Sequence, residues 1–181
     1  MTYPGGHRRI DRILAEDYLA DLADRPLDEV RTMRHDAEQE ETDLSYLRRL
    51  LQGRIDILRA EVDRRAGKGG SLLESLPGIL AEESSDGPHG MGRHVTVEPS
   101  RVDSHRRYVE ALVADTDLSD PGRHDDETLG RLIDVLEREE ADVSGKRRAV
   151  QVVMDACTAE IGRRYRDGDA DVSDLLPSES T

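Results

Sequence analysis

The sequence predicts an all-α fold in which two long helices form an antiparallel coiled coil, with short accessory helices and a flexible linker. Phe and Trp are absent, hydrophobic residues make up 35% of the chain and charged residues 36%. This composition is typical of solvated helices that bury one apolar stripe. Two long stretches with helical spacing of apolar residues, and one polar pattern present in both, complete the prediction. The residues between them are numerous enough for either relative direction, and the antiparallel one is favoured.

The N-terminal part of the chain predicts two helices in succession. Residues 1–25 contain the first, because apolar residues recur at helical spacing from Arg9 to Ala23. Pro26 suits the first turn of the next helix, where its missing N–H costs nothing. No further proline occurs up to residue 66, and Gly53 is the single glycine. Residues 26–66 are therefore predicted as the first long helix.

The remaining segments are predicted from helix-breaking residues and from helix-capping residues. GKGG ends the first long helix, and residues 67–102 are predicted to contain a short helix in SLLESLPGIL and then a flexible linker rich in Gly, Pro, Ser and His. Residues 103–120 are predicted to carry an accessory helix. The second long helix covers residues 125–167, with Asp125 or Asp126 as its cap. Residues 168–181 are predicted to be a disordered acidic tail.

The two long helices carry an internal repeat. An offset of 99 residues aligns residues 38–65 with the second helix and gives thirteen identical pairs. Both copies contain the pattern Glu-x3-Ser-x2-Arg-x3-Gln-x3-Asp. Its members are Glu41, Ser45, Arg48, Gln52 and Asp56 in the first copy and Glu140, Ser144, Arg147, Gln151 and Asp155 in the second. We call these ten residues the motif residues.

The apolar positions align with the same offset but change identity. The pairs are Leu44/Val143, Leu51/Val150, Ile55/Met154, Leu58/Cys157 and Val62/Ile161. We call these ten residues the seam. On a helical projection the polar stripe spans about 80° and lies beside the apolar one, so we expect paired helices to bring their polar stripes into one groove. In this repeat the polar residues are identical and the seam residues vary. A coiled coil without a ligand is expected to show the opposite, because its outer positions accept any charged residue.

Charge and cysteine content restrict the function classes. With 26 basic and 40 acidic residues the net charge is −14, which argues against direct binding of DNA or RNA and favours a basic protein partner. The first motif helix is more balanced, so it could tolerate a small anionic ligand. The single cysteine, Cys157, fits a reducing compartment and a buried apolar position. The N-terminus has no apolar run of the length that a signal peptide or membrane span requires, so we expect a cytoplasmic protein.

Written out, ETDLSYLRRLLQGRID and EADVSGKRRAVQVVMD resemble the doubled signature of the RsiG family, cyclic di-GMP-dependent anti-sigma factors of Streptomyces and related actinobacteria. PLDEVR and SLLESLPGIL belong to the same resemblance. It implies an antiparallel coiled coil whose ten motif residues hold an intercalated dimer of cyclic di-GMP, with no metal. It also implies that the loaded form sequesters WhiG, a flagellar-type sporulation sigma factor.

The chemistry of the motif residues fits a guanine nucleotide. The carboxylates of Asp56 and Asp155 can accept both N–H donors of a guanine edge. The guanidinium groups of Arg48 and Arg147 can bind O6 and N7, stack on a base or offset phosphate charge. The serines and glutamines add neutral hydrogen bonds. A glutamate near a phosphodiester is unfavourable unless it faces a guanine or orients an arginine.

Two other function classes are compatible with parts of the sequence. A metal phosphodiesterase built on His124 and Asp125 needs further histidines on facing helices, and the other histidines lie mostly in loops. We therefore expect no enzyme. The second class is a ligand-independent coiled-coil adaptor or a constitutive anti-sigma protein, in which the stripes are solvated charged faces.

Overall fold

The computed structural model describes residues 8–68, 99–112 and 120–168. These residues form helices α1 (Arg9–Ile13), α2 (Leu27–Arg65), α3 (Val102–Leu112) and α4 (Asp126–Asp167), and a 3-10 turn at Pro121–Arg123 precedes α4. The three described ranges contain no β-strand, which confirms the all-α prediction. None of their helices combines the length and apolarity needed to cross a membrane.

Two predicted segments lie outside the residues that the structure describes. The short helix in SLLESLPGIL and most of the predicted linker lie in residues 69–98, outside the described residues. The predicted acidic tail lies almost entirely in residues 169–181, which are also outside them.

The first helix is shorter than the sequence predicts. The prediction extended it from Arg9 to Ala23, but α1 ends at Ile13 and turns follow. In these turns Tyr18 N–H donates to the Ala15 carbonyl at 3.0 Å, a bond to the third residue back instead of the fourth. Asp21 has a φ of 53°, which a continuous helix excludes. Helical spacing of apolar residues was therefore insufficient evidence for a helix beyond Ile13.

Glycine ends α2 in the way that GKGG predicts. Lys68 N–H donates to the Asp63 carbonyl at 3.0 Å and Gly67 N–H to the Arg64 carbonyl at 3.2 Å. These two bonds define a Schellman motif, whose penultimate position requires a left-handed residue. Gly67 supplies it with a φ of 68°.

Asp125 is the cap of α4. Its Oδ1 accepts from the backbone N–H of Thr128 at 2.8 Å. The hydrogen bonds from Thr128 also hold the pKa of Asp125 below its ordinary value. Of the two candidates that the sequence offered, Asp125 therefore has the N-cap geometry.

The chain divides into two compact units, and each long helix contributes to both. Unit 1 comprises Met1–Thr42 and Lys146–Thr181, and unit 2 comprises Asp43–Gly145. The buried apolar residues of unit 1 are Ile10, Ile13, Val30, Met33, Ala37, Val150, Val153 and Cys157. Those of unit 2 are Leu44, Leu47, Leu51, Ile55, Leu58, Val109, Leu129, Leu132, Leu136 and Val143.

The long helices run antiparallel in both units. In unit 1, Arg31 near the start of α2 donates to the hydroxyl of Tyr165 near the end of α4. In unit 2, Arg65 at the end of α2 pairs with Asp126 at the start of α4, at 2.8 Å. The predicted direction is thus confirmed by contacts within each unit.

The predicted seam is largely correct. Of its ten apolar positions, Val62, Met154 and Ile161 are half-buried, and the other seven are buried. Leu47 and Val153 are also buried and widen the core. Cys157 is completely buried, as predicted, and its burial raises the pKa of its thiol.

In unit 2, a glutamate and two arginines stabilise the end of α2. The carboxylate of Glu61 accepts from Arg64 Nε and Arg65 Nε, each at 2.7 Å. These two arginines lower the pKa of Glu61 to about 2. Arg65 Nη2 also donates to the carbonyls of Pro121, at 3.2 Å, and Gly122, at 3.1 Å. The side chain therefore ties the end of α2 to the turn that precedes α4.

The same arrangement occurs in unit 1 at the end of α4. Glu160 accepts from Arg163 Nε at 2.9 Å and from Arg164 Nε at 2.7 Å, and these bonds lower its pKa to about 2. Arg164 Nη2 donates to the carbonyls of Leu22, at 2.9 Å, and Ala23, at 3.2 Å. The internal repeat therefore includes the ends of the helices and the turns that they contact.

Candidate functional site

The motif residues lie beside the buried seam on both long helices. On α2, all five are half-buried, and they alternate along the helix with the buried Leu44, Leu51 and Ile55. On α4, four are half-buried and Asp155 is exposed. A half-buried polar stripe keeps its functional groups accessible while packing restricts their rotamers.

One group of motif residues meets within unit 1. The Oε1 atom of Glu41 on α2 accepts from Arg147 Nη1 at 2.7 Å and from Gln151 Nε2 at 3.2 Å, both on α4. Side-chain exposure is 26% for Arg147 and 21% for Glu41, so the ion pair is partly shielded from water. We call these three residues the Arg147 cluster.

The corresponding group meets within unit 2. The Oε1 atom of Glu140 on α4 lies 3.7 Å from Arg48 Nη1 and 3.4 Å from Gln52 Nε2, both on α2. Ser144 Oγ donates to the same oxygen at 2.9 Å. We call these four residues the Arg48 cluster. In each unit the glutamate of one motif copy therefore faces the arginine and the glutamine of the other copy.

The glutamates were the motif residues with the least defined role in the sequence. The structure places Glu41 and Glu140 against arginines, one of the two situations in which a carboxylate suits such a site. Ser45, Asp56 and Asp155 lie on the same polar stripes of their own helices. The sequence could not predict the cross-helix pairs, because they depend on helix direction and on register.

The clusters provide donors for an anionic or oxygen-rich ligand. An arginine guanidinium and a glutamine amide together offer several N–H donors. In the structure, the glutamate oxygen accepts hydrogen bonds from some of them. A phosphate oxygen or a guanine O6 could take the place of that carboxylate. Arg48 Nε is buried and has no acceptor among the described residues, so one donor in unit 2 is still available.

Sequence reasoning missed three polar contacts next to the motif. In unit 1, Glu40 is buried and accepts from Arg9 Nε of α1 at 2.8 Å. In unit 2, the hydroxyl of Tyr108 on α3 donates to Glu139. Each acid directly precedes a motif glutamate and anchors a short helix there. Glu40 and Glu139 form an identical pair in the internal repeat, which was the signal available in the sequence.

The third missed contact involves Asp43 in unit 2. This residue is completely buried and accepts from Ser100 N at 2.5 Å, from Ser100 Oγ at 2.7 Å and from Arg101 Nε at 3.3 Å. It therefore anchors the residues just before α3 to α2. Its repeat partner Asp142 is exposed, so the two halves of the repeat are not equivalent here.

Comparison with known proteins gives a match in both halves of the repeat. A family model described as RsiG-like matches residues 16–80 and again residues 115–179. The two matches are offset by 99 residues, the same offset that aligns the motif copies. No curated protein matches the chain.

Proposed function

Since this chain belongs to the RsiG-like family, which is of the anti-sigma-factor type, we propose that it is a cyclic di-GMP-dependent anti-sigma factor. The general class of partner for this family is a sigma factor. Our proposal adds the ligand, the identity of the partner and the switch. The ligand is a dimer of cyclic di-GMP bound at the motif residues, whose glutamates position the arginines, and the loaded form sequesters a WhiG-type sporulation sigma factor.

The observation that carries the proposal is the contact repeated in the two clusters. In both, a glutamate carboxylate faces an arginine and a glutamine at equivalent motif positions, although the flanking residues differ. Part-exposed charge pairs contribute little to stability, so coiled-coil stability alone does not account for the identity of these residues in the repeat. Two copies of one ligand that need the same donors account for it, and the proposed dimer of cyclic di-GMP supplies two copies.

The charge of the chain supports the proposed partner. At a net charge of −14, the protein suits basic surfaces such as those with which a sigma factor contacts DNA. Covering these surfaces would prevent transcription from the promoters of that sigma factor. We propose that the protein acts in the cytoplasm, without catalysis, metal or direct contact with nucleic acid.

A ligand-independent adaptor is the second candidate, and one contact favours it. Arg147 and Glu41 already form an ion pair at 2.7 Å without any ligand. If that pair served only to hold the helices together, replacing Arg48 or Arg147 by alanine would leave capture of a partner protein nearly unchanged.

Calorimetric titration with cyclic di-GMP in the absence of sigma factor tests the proposal. We expect two nucleotides per chain, and loss of this two-nucleotide binding in Arg48→Ala and in Arg147→Ala, because each removes the charged donor of one cluster. Arg49→Ala and Arg148→Ala are matched controls, since these neighbouring arginines are exposed and lie outside the motif. The proposal fails if the unsubstituted chain does not bind, or if the controls lose as much affinity as the motif variants.

A further inference from the structure

The Arg147 cluster and the Arg48 cluster use the same residue types but hold their arginines differently. In the Arg147 cluster, the arginine and the glutamate are in hydrogen-bonding contact at 2.7 Å. In the Arg48 cluster, the corresponding distance is 3.7 Å, which is beyond a hydrogen bond and leaves a looser ion pair. The glutamines differ in the same direction, with 3.2 Å to Glu41 and 3.4 Å to Glu140.

A second observation points the same way. The Nε–H of Arg48 is buried and has no acceptor in the part of the chain that the structure describes. A buried donor without an acceptor is unfavourable, and a ligand oxygen that accepts from it removes that cost. Binding at Arg48 therefore gains a hydrogen bond and gives up only the loose ion pair with Glu140. Binding at Arg147 requires a charge-assisted hydrogen bond to be broken first.

We infer that the two clusters are unequal binding sites: cyclic di-GMP engages the Arg48 cluster of unit 2 first, and in unit 1 Glu41 competes with the ligand for Arg147. This inference rests on the proposed function. Glu41 is a positioning residue, which keeps Arg147 and Gln151 on α4 turned toward α2 until the ligand replaces its carboxylate. Glu140 competes with the ligand for Arg48 in the same way, but more weakly.

Two isosteric substitutions separate these roles. Glu41→Gln and Glu140→Gln each remove one negative charge, so the general electrostatic change in affinity for an anionic ligand is the same in both variants. The difference between them isolates the ion pair. We expect Glu41→Gln to raise the affinity for cyclic di-GMP by about fivefold, the upper range for a part-exposed pair, and Glu140→Gln by less than about twofold.

Calorimetry of these two variants decides the inference. Equal changes in affinity, or a larger gain for Glu140→Gln, would overturn it. A loss of affinity in both variants would also overturn it, because the glutamates would then contact the ligand directly. Circular dichroism of each variant confirms that the helices are retained.

A measurement without ligand tests the same asymmetry independently of nucleotide binding. Double-mutant cycles combine Glu41→Gln with Arg147→Gln, and Glu140→Gln with Arg48→Gln, and follow urea unfolding. We expect a coupling of about fivefold in the unfolding equilibrium constant for the first pair and a smaller one for the second. Equal couplings would overturn the inference while the proposed function stands. No nucleotide binding by the unsubstituted chain would overturn both.

Discussion

Arg65 and Arg164 are 99 residues apart in the sequence and make the same contact in different units. Each donates to backbone carbonyls in the turn that precedes the opposite long helix, Arg65 to Pro121 and Gly122, and Arg164 to Leu22 and Ala23. A guanidinium suits this position because it carries five N–H donors in a fixed planar arrangement. The two contacts fix where each long helix ends relative to the turn beside it.

Replacing Arg164 should destabilise the protein strongly. The side chain is 9% exposed, and Arg164→Ala would leave the Glu160 carboxylate, which is 10% exposed, and the carbonyls of Leu22 and Ala23 without this donor. We expect a loss of about 2–4 kcal/mol in the free energy of unfolding, measured by urea denaturation. Arg166→Ala is the control, since that residue is exposed on the same turn. Equal effects of the two substitutions would contradict the proposed role of Arg164.

Asp43 should be needed for the docking of α3. Asp43→Ala removes a buried acceptor from the backbone and hydroxyl of Ser100 and from Arg101. We expect a loss of about 2–4 kcal/mol and faster hydrogen exchange in α3. The repeat partner provides a control: Asp142 is exposed, and Asp142→Ala should change stability by less than about 0.5 kcal/mol. Unchanged exchange in α3 of the Asp43 variant would show that this anchor is dispensable.

Stability should fall in acid because of Glu61 and Glu160. Arginine hydrogen bonds lower both pKa values to about 2 in the folded chain, whereas an unfolded glutamate titrates near its ordinary value of about 4.3. A lowered folded pKa contributes stability above the unfolded pKa, and this contribution is lost as the pH falls toward 2. Urea midpoints should therefore fall more steeply between about pH 4.5 and 2 for the unsubstituted chain than for the Glu61→Gln/Glu160→Gln variant. Parallel curves would contradict this assignment.

Gly145 should be replaceable with a gain in stability. It lies exposed within α4, and an added Cβ would meet no atom within 4 Å. Gly145→Ala should stabilise the protein by about 0.5–1 kcal/mol, measured by thermal or urea unfolding, because alanine loses less backbone entropy in a helix. Gly67→Ala is the opposite control, since Gly67 has a φ of 68° and should not accept a side chain without strain. A destabilising Gly145→Ala would show that the Cβ is not tolerated in the folded chain.

The sequence predicted the long helices because their signals are local. Apolar spacing, Pro26 before α2, glycine after α2 and an aspartate before α4 each act within one or two turns. The seam followed from the same spacing, and seven of its ten predicted positions are buried. The ten motif residues were found by comparing the chain with itself, and all are in place beside the seam.

The features that the sequence did not predict depend on contacts distant in the chain. Residues 14–23 have helical spacing, but the carbonyls of Leu22 and Ala23 accept from Arg164 and the chain forms turns instead. Asp43 and Asp142 are identical in the repeat, yet only Asp43 is buried, because Ser100 and Arg101 cover it. The pairing of each motif glutamate with the arginine of the other copy likewise required the helix direction and register to be known.

Capture of a flagellar-type sigma factor with and without cyclic di-GMP tests the central claim most directly. Sigma factor binding to the immobilised chain would be measured by biolayer interferometry at increasing nucleotide concentration. The account predicts that cyclic di-GMP tightens capture by about tenfold or more, and that sigma factor tightens nucleotide binding by the same factor, as linkage requires. Arg48→Ala and Arg147→Ala should remove this dependence. Equally tight capture in the presence and absence of cyclic di-GMP would contradict the switch.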